Sequence, residues 1–107
     1  DVGNVVLRDR KQLSQDGILI AIITLDRDNG QVLAGPDIIS RGFVYVRESE
    51  ALMEEVRVKV IEALDKCQTQ GNNDWAFMKG QIRETLSRFL YERTKRRPMI
   101  LPIITEV

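Results

Sequence analysis

The sequence predicts one α/β domain of the α+β sandwich kind, a small mixed sheet of three to four strands with two α-helices packed on one face. Three observations predict it. A β-branched apolar run over 18–25 precedes an Asn-Gly turn. Two segments, 49–67 and 75–95, carry apolar residues at spacings of three and four. A last apolar segment over 99–104 follows a proline, and the 107 residues suffice for one domain with its own core.

The strands are predicted from apolar runs and turn residues. Segment 18–25 is apolar at almost every position, which is typical of a central strand covered on both faces. The Asn29-Gly30 pair favours a hairpin, with 31–35 as the returning strand. Because Pro36 has no N–H to donate, we expect it to end the regular pairing and 37–42 to be a turn-rich connector. A third strand is expected over 43–47, and Pro102 marks 99–104 as an edge strand or a bulge.

Two amphipathic helices are expected between the strands. The first takes Ser49 as its N-cap and runs to about Cys67. Its buried side is expected to consist of five apolar residues: Met53, Val56, Val60, Ile61 and Leu64. Asp74 is expected to cap the second helix, which Pro98 ends near Lys95. The apolar stripe of that helix consists of six residues: Trp75, Met78, Ile82, Leu86, Phe89 and Leu90.

Composition excludes several function classes. With no histidine and one cysteine, Cys67, the chain cannot build a His/Cys zinc site or a triad with a histidine base. A lone cysteine makes no internal disulfide, which suits a reducing compartment, and the start of the sequence shows no signal peptide, so we expect a cytoplasmic location. The longest apolar run is too short to span a bilayer. Six carboxylates over 48–65 predict a solvated helix face rather than a metal site.

Charge is balanced overall but segregated along the chain. Sixteen basic and sixteen acidic residues cancel, yet six of the basic ones lie within 83–97. The candidate contacts with RNA or with another subunit are Arg41, Arg88, Arg93, Lys95, Arg96 and Arg97. Cations at a helix C-terminus interact favourably with the helix dipole, and each stabilises the helix by about 0.3–1 kcal/mol. Alternatively, these cations bind phosphates, and both interpretations stay open.

Three of these cations carry a more specific expectation. Arg88 and Arg93 have no acidic partner on a clear periodic face, so we expect them to be available for an external anion. Gly42 is expected to adopt a positive φ and to turn the guanidinium of Arg41 outward, unless the surrounding residues simply form a tight turn.

Three segments, 3–10, 34–49 and 89–104, resemble the C-terminal region of ribonuclease J, the bacterial and archaeal β-CASP branch of the metallo-β-lactamase fold. The most specific stretches are Gly-Pro-Asp-Ile-Ile-Ser-Arg-Gly-Phe at 35–43 and Thr-Lys-Arg-Arg-Pro-Met-Ile-Leu-Pro at 94–102. The resemblance implies that 1–16 is a linker or the end of a preceding catalytic body, and that 17–107 is the C-terminal domain.

The resemblance also implies a function. The parent enzyme would be a zinc-dependent 5′-to-3′ exoribonuclease and endoribonuclease of messenger decay and ribosomal RNA maturation. Its zinc ligands lie in histidine motifs that this sequence lacks, so no catalytic residue, metal ligand or cofactor is assigned here, and the chain alone is expected to be inactive. The expected partners are a second copy or a paralogue, and RNA through the full-length enzyme, but no membrane. The domain would support oligomerisation and full activity; the alternative is an RNA-binding module that grips phosphates through the basic end of the second helix.

Overall fold

The structure is a computed structural model that describes residues 16–42, 49–71 and 74–107. Its elements are β1 (Ile18–Leu25), β2 (Val32–Arg41), α1 (Ser49–Thr69), α2 (Trp75–Thr94) and β3 (Met99–Glu106). The strands form one mixed sheet in the order β2-β1-β3, with β1 antiparallel to β2 and parallel to β3. The predicted α+β fold is therefore confirmed, with β1 central and β3 at an edge. The strand expected over 43–47 lies outside the described residues.

The β1–β2 connection is the predicted hairpin. The Asp26 N–H donates to the Gln31 carbonyl at 2.8 Å, and the Gln31 N–H donates to Asn29 Oδ1 at 2.9 Å. Gly30 takes a φ of 72°, which glycine adopts without steric cost.

Strand β2 continues through Pro36, so the prediction of a connector over 37–42 is wrong. The β1–β2 register is irregular between Ile22 and Thr24 and is regular from the Ile22–Asp37 pair onward. The irregularity falls where Pro36 cannot donate a ladder hydrogen bond, and the strand tolerates the proline because β2 lies at the sheet edge. The proline therefore marks an irregularity in the strand and not its end.

The helices agree with the expected segments and differ in detail. Ser49 is the first helical residue of α1, and its side chain lies outside the described residues. Asp74 occupies the N-cap position of α2 as predicted, although its side chain makes no capping hydrogen bond there. Lys95 ends α2 in the left-handed conformation, with φ 60°. No helix within the described ranges is both long and apolar enough to cross a membrane.

The core lies between one face of the sheet and the two helices. Alternate residues of β1 are buried, and the largest fully buried core side chains are Leu19, Ile23, Val56, Val60, Leu64, Cys67, Ile82, Leu86 and Leu90. Two residues predicted to be buried are exposed: Ile61 is 40% exposed and Trp75 is 38% exposed. The expected coverage of β1 on both faces is also wrong for the described part of the chain, because both helices pack on the Leu19 face.

Candidate functional site

Four candidate cations meet at one end of the domain, which we call the basic end: Arg41, Lys95, Arg96 and Arg97. Ile18 pairs with Arg41 at the end of β2 and with Met99 at the start of β3. Neighbouring strands lie about 4.8 Å apart, so Arg41 and the residue that follows Pro98 are separated by about 10 Å. The sheet thus places Arg41 beside the 95–97 cluster, although more than fifty residues separate them in sequence.

Backbone contacts fix the geometry of the basic end. Gly17 has a φ of 82°, and a Cβ built there would lie 2.4 Å from the Arg41 carbonyl oxygen. The Met99 N–H donates to the Gly17 carbonyl at 2.9 Å, and the Arg97 N–H donates to Asp16 Oδ2 at 3.1 Å. Glycine at position 17 is therefore the condition for the close approach of all three strands at this end.

Tyr91 anchors two of the cations. Arg97 Cζ lies 4.6 Å from the centroid of the Tyr91 ring, and Lys95 Nζ lies 5.2 Å from it. The ring is 39% exposed, so these cation–π contacts are at the surface and each contributes about 0.5–1 kcal/mol. The Arg96 N–H donates to Thr94 Oγ1 at 3.1 Å. The three cations thus follow directly on the left-handed end of α2, and two of them, Lys95 and Arg97, lie over an exposed aromatic ring.

Arg41 is an exposed residue at the last position of β2. Its guanidinium Nη1 donates to the Ser40 carbonyl at 2.8 Å. The next residue, Gly42, has a φ of 70°, as the sequence predicted.

Arg88 and Arg93 do not join the basic end, and the expectation that they have no acidic partner is wrong. Arg88 Nη2 pairs with Glu84 Oε1 at 2.7 Å, one helical turn away. Arg93 pairs with Glu55 of α1, and its Cζ lies 5.7 Å from the Phe89 ring centroid. The spacing of four residues is a sequence signal for the first pair. The second pair joins residues 38 positions apart and has no local signal.

A second surface is the side of the sheet that faces away from the helices. The register aligns Ile20 with Ile39 and Leu101, and Ile22 with Ile103. We call these five residues the open sheet face. Leu101 is 43% exposed, Ile103 37% and Ile39 36%, while Ile20 and Ile22 are half-buried. The domain therefore presents a contiguous apolar strip across all three strands.

The described residues show no catalytic constellation. Within 16–42, 49–71 and 74–107, no group of three or more Cys, Asp or Glu side chains is placed to hold a metal ion. Cys67 is 1% exposed, and desolvation by burial raises the pKa of its thiol against the opposing charge of Lys66. A buried thiol with a raised pKa is a poor nucleophile, and Cys67 acts as a small apolar core residue, as predicted.

Comparison with known proteins agrees with this picture. The family model of the ribonuclease J C-terminal domain matches residues 5–107. The chain is 52% identical over its 107 residues to Ribonuclease J2 of Bacillus subtilis (strain 168) and 52% identical to Ribonuclease J 2 of Staphylococcus saprophyticus. It is 51% identical to Ribonuclease J 2 of Staphylococcus aureus (strain NCTC 8325). Each match covers the whole chain and 19% of the relative.

Proposed function

The chain belongs to the ribonuclease J C-terminal domain family, and from that premise we propose that it is a non-catalytic assembly domain, which pairs with a second copy of itself through the open sheet face. The observation that carries the proposal is the apolar strip of Ile39, Leu101 and Ile103 on a sheet whose two described helices, α1 and α2, both lie on the other side. Contiguous exposed apolar surface of this kind marks an interaction site.

The parent protein is proposed to be a cytoplasmic, zinc-dependent ribonuclease of the β-CASP metallo-β-lactamase class, with exonuclease and endonuclease activity in messenger decay and ribosomal RNA maturation. The resemblance of segments 35–43 and 94–102, and the names of the relatives, support this. Because the chain contains no histidine and spans 19% of those relatives, hydrolysis would reside in the remainder of the enzyme. This domain would act by holding catalytic bodies together.

The open sheet face can pair with the same face of a second copy, which is an isologous interface related by a twofold axis. Its centre is uncharged, and along its β2 edge Asp37 and Arg41 occupy outward register positions on either side of Ile39. In an antiparallel face-to-face arrangement, the Asp37 of one copy can approach the Arg41 of the other. Burial of the apolar residues would supply the affinity, and the pairing of Asp37 with Arg41 would fix how the two copies are aligned.

The size of the face sets the expected affinity. A strand of eight residues is about 26 Å long, and three strands with their side chains are about 15–20 Å wide. Each copy therefore offers roughly 400–500 Å², or about 900 Å² in total, which is at the low end for specific interfaces. We expect the isolated chain to dimerise with a dissociation constant in the micromolar range, and apolar burial to make that dimer resistant to salt.

Sedimentation equilibrium of the chain at about 0.1 M and about 1 M salt tests the proposal. Ile103→Lys places a charge within the apolar face, on the edge strand β3, and is expected to shift the chain to monomer. The matched control is Val58→Lys. Val58 is a β-branched residue of α1 that is 45% exposed on the other side of the molecule, so this variant should leave the dimer intact. The proposal is contradicted if the unchanged chain sediments as a monomer at every concentration, or if Ile103→Lys and Val58→Lys lose the dimer to the same extent.

The basic end supports a second candidate function, contact with RNA. The supporting observation is that Arg41 lies at the same end of the domain as Lys95, Arg96 and Arg97, where Lys95 and Arg97 contact the exposed Tyr91 ring. The described acids at this end include Asp16, which accepts from the Arg97 N–H, and Glu92 in the last turn of α2. Phosphates would be held by the cations, and a base could stack on the ring.

This candidate is tested by fluorescence anisotropy with a 5′-monophosphorylated single-stranded RNA. Each phosphate contact contributes about −0.7 to the slope of log affinity against log salt. Lys95→Gln is expected to lower the affinity and make that slope shallower by about one contact. Arg88→Gln, which removes a cation already paired on the α2 surface, is the matched control and should change neither. Equal effects of the two variants would exclude the basic end as the RNA contact.

A further inference from the structure

The tip of the β1–β2 hairpin carries an Asn-Gly pair that neither candidate function uses. It lies at the end of the domain opposite the basic end, because β1 starts beside Arg41 at Ile18 and runs to Leu25. The side chain of Asn29 is exposed there. An asparagine followed by glycine is open to attack by its own backbone, since glycine has no Cβ to hinder the nitrogen that attacks.

The reaction that this pair can undergo is deamidation. The Gly30 nitrogen bonds to Cγ of Asn29 and gives up its proton, the side-chain nitrogen leaves as ammonia, and a succinimide ring remains. Water then opens the ring at either carbonyl, which yields an aspartate or an isoaspartate. The net change exchanges ammonia for water, so the reaction consumes no oxidant, reductant or cofactor.

One contact in the turn prepares the Asn29 amide for this attack. The Gln31 N–H donates to Asn29 Oδ1 at 2.9 Å. Negative charge develops on this oxygen when the Gly30 nitrogen adds to Cγ, and a backbone N–H directed at such an oxygen stabilises that charge. The turn therefore holds the side-chain carbonyl in a polarised state.

A second contact holds the attacking nitrogen back. The Gly30 N–H donates to the Asp26 carbonyl at 2.8 Å, and the nitrogen must lose this same proton in order to attack. On the other side of the glycine, Gln68 Nε2 of α1 donates to the Gly30 carbonyl and ties the turn to the helix layer. The Arg27 N–H donates to the Val107 carbonyl at 3.0 Å, which ties the turn to the end of β3. The turn thus combines an exposed, polarised amide with a protected nucleophile.

We propose that Asn29-Gly30 is a latent deamidation site, which the closed hairpin protects and which reacts when the 26–30 turn opens. Opening breaks the bond between Gly30 and Asp26, and an exposed turn can open locally while the core stays folded. Either product adds a negative charge to a tip that already carries Asp26 and Asp28. The isoaspartate also lengthens the backbone by one methylene, so it would leave the hairpin permanently loosened.

Peptide mapping by mass spectrometry measures the fraction of Asn29 that is converted over time, in buffer at mildly alkaline pH and in urea at the same pH. Conversion in buffer is expected to be at least about tenfold slower than in urea, because only the open turn reacts. Hydrogen exchange of the Gly30 amide, followed by NMR in buffer, is expected to be slowed by a similar factor, since it requires the same opening.

Two glutamine variants test the protection. Gln68→Ala removes the contact from α1 to the turn, so in buffer it is expected to speed both Asn29 conversion and Gly30 exchange by about two- to tenfold. In urea it should leave the conversion rate unchanged. Gln70→Ala truncates an exposed glutamine two residues further along the chain and is the matched control, which should alter neither rate.

Three results would overturn the inference: no conversion of Asn29 in urea, equal conversion rates in buffer and in urea, or equal rates in the two glutamine variants. All three readouts concern the hairpin tip, which belongs to neither the open sheet face nor the basic end. Failure here is therefore separate from failure of the assembly role or of the RNA contact.

Discussion

Replacing Gly17 by alanine tests the account of the basic end. Gly17 has a φ of 82°, a conformation that costs an alanine about 1–2 kcal/mol. The added Cβ would also lie 2.4 Å from the Arg41 oxygen and 2.6 Å from the Gly42 carbonyl carbon, so backbone must move. Forced overpacking of this kind costs about 1–3 kcal/mol more. Alanine recovers about 0.4–1 kcal/mol by restricting the unfolded chain, which leaves an expected net loss of about 1–5 kcal/mol.

Gly71→Ala is the matched control for this prediction. Gly71 has a φ of 72°, yet no described atom lies within 4 Å of its Cβ position, so the variant should lose only about 1 kcal/mol or less. Urea unfolding of both variants, with an unchanged denaturant slope, measures the difference directly. If Gly17→Ala is no less stable than Gly71→Ala, the close approach of β1 to the end of β2 is not what holds Arg41 at the basic end, and the reasoning fails.

Two further predictions concern the core. Leu86 has no exposure, so Leu86→Ala should lower the free energy of unfolding by about 2–5 kcal/mol. Leu33 is 55% exposed, so Leu33→Ala should change that free energy by about 0.5 kcal/mol or less. Equal losses for the two variants in chemical denaturation would place Leu86 outside the core. Burial raises the pKa of the Cys67 thiol, so the unfolded chain loses this proton at lower pH than the folded one, and stability should fall as pH rises above about 8.5. The free energy of unfolding, measured across that pH range, should decline less steeply with pH in Cys67→Ala than in the unchanged chain. Identical slopes in the two proteins would contradict the raised pKa of Cys67.

Most of the fold follows from local patterns. The Asn29-Gly30 turn, the end of α1 near Cys67 and the end of α2 near Lys95 each depend on residues within a few positions, and each is confirmed to within about two residues. The prediction that failed in the sheet concerned Pro36. Whether a strand tolerates a proline depends on its place in the sheet, because an edge strand has one side without ladder partners. That place is set by distant strands.

The candidate site was predictable only in part. The 95–97 cluster is visible in the sequence, but the arrival of Arg41 beside it requires the pairing of both outer strands with Ile18. Arg93 shows a second effect of the fold, because its acidic partner Glu55 comes from the other helix. Contacts between residues far apart in sequence leave no periodic signal along the chain.

The sequence by itself determined the elements, the helix-facing core and the absence of any histidine-based catalytic centre. It also determined that β1 is apolar on both sides, since Ile20 and Ile22 alternate with Leu19 and Ala21. Only the tertiary structure decided what those outward residues do. The two helices pack on one side of a three-stranded sheet, and among the described residues the other side is left as an apolar surface. Periodicity reports how much surface must be buried, whereas the element or partner that buries it is a property of the assembled fold.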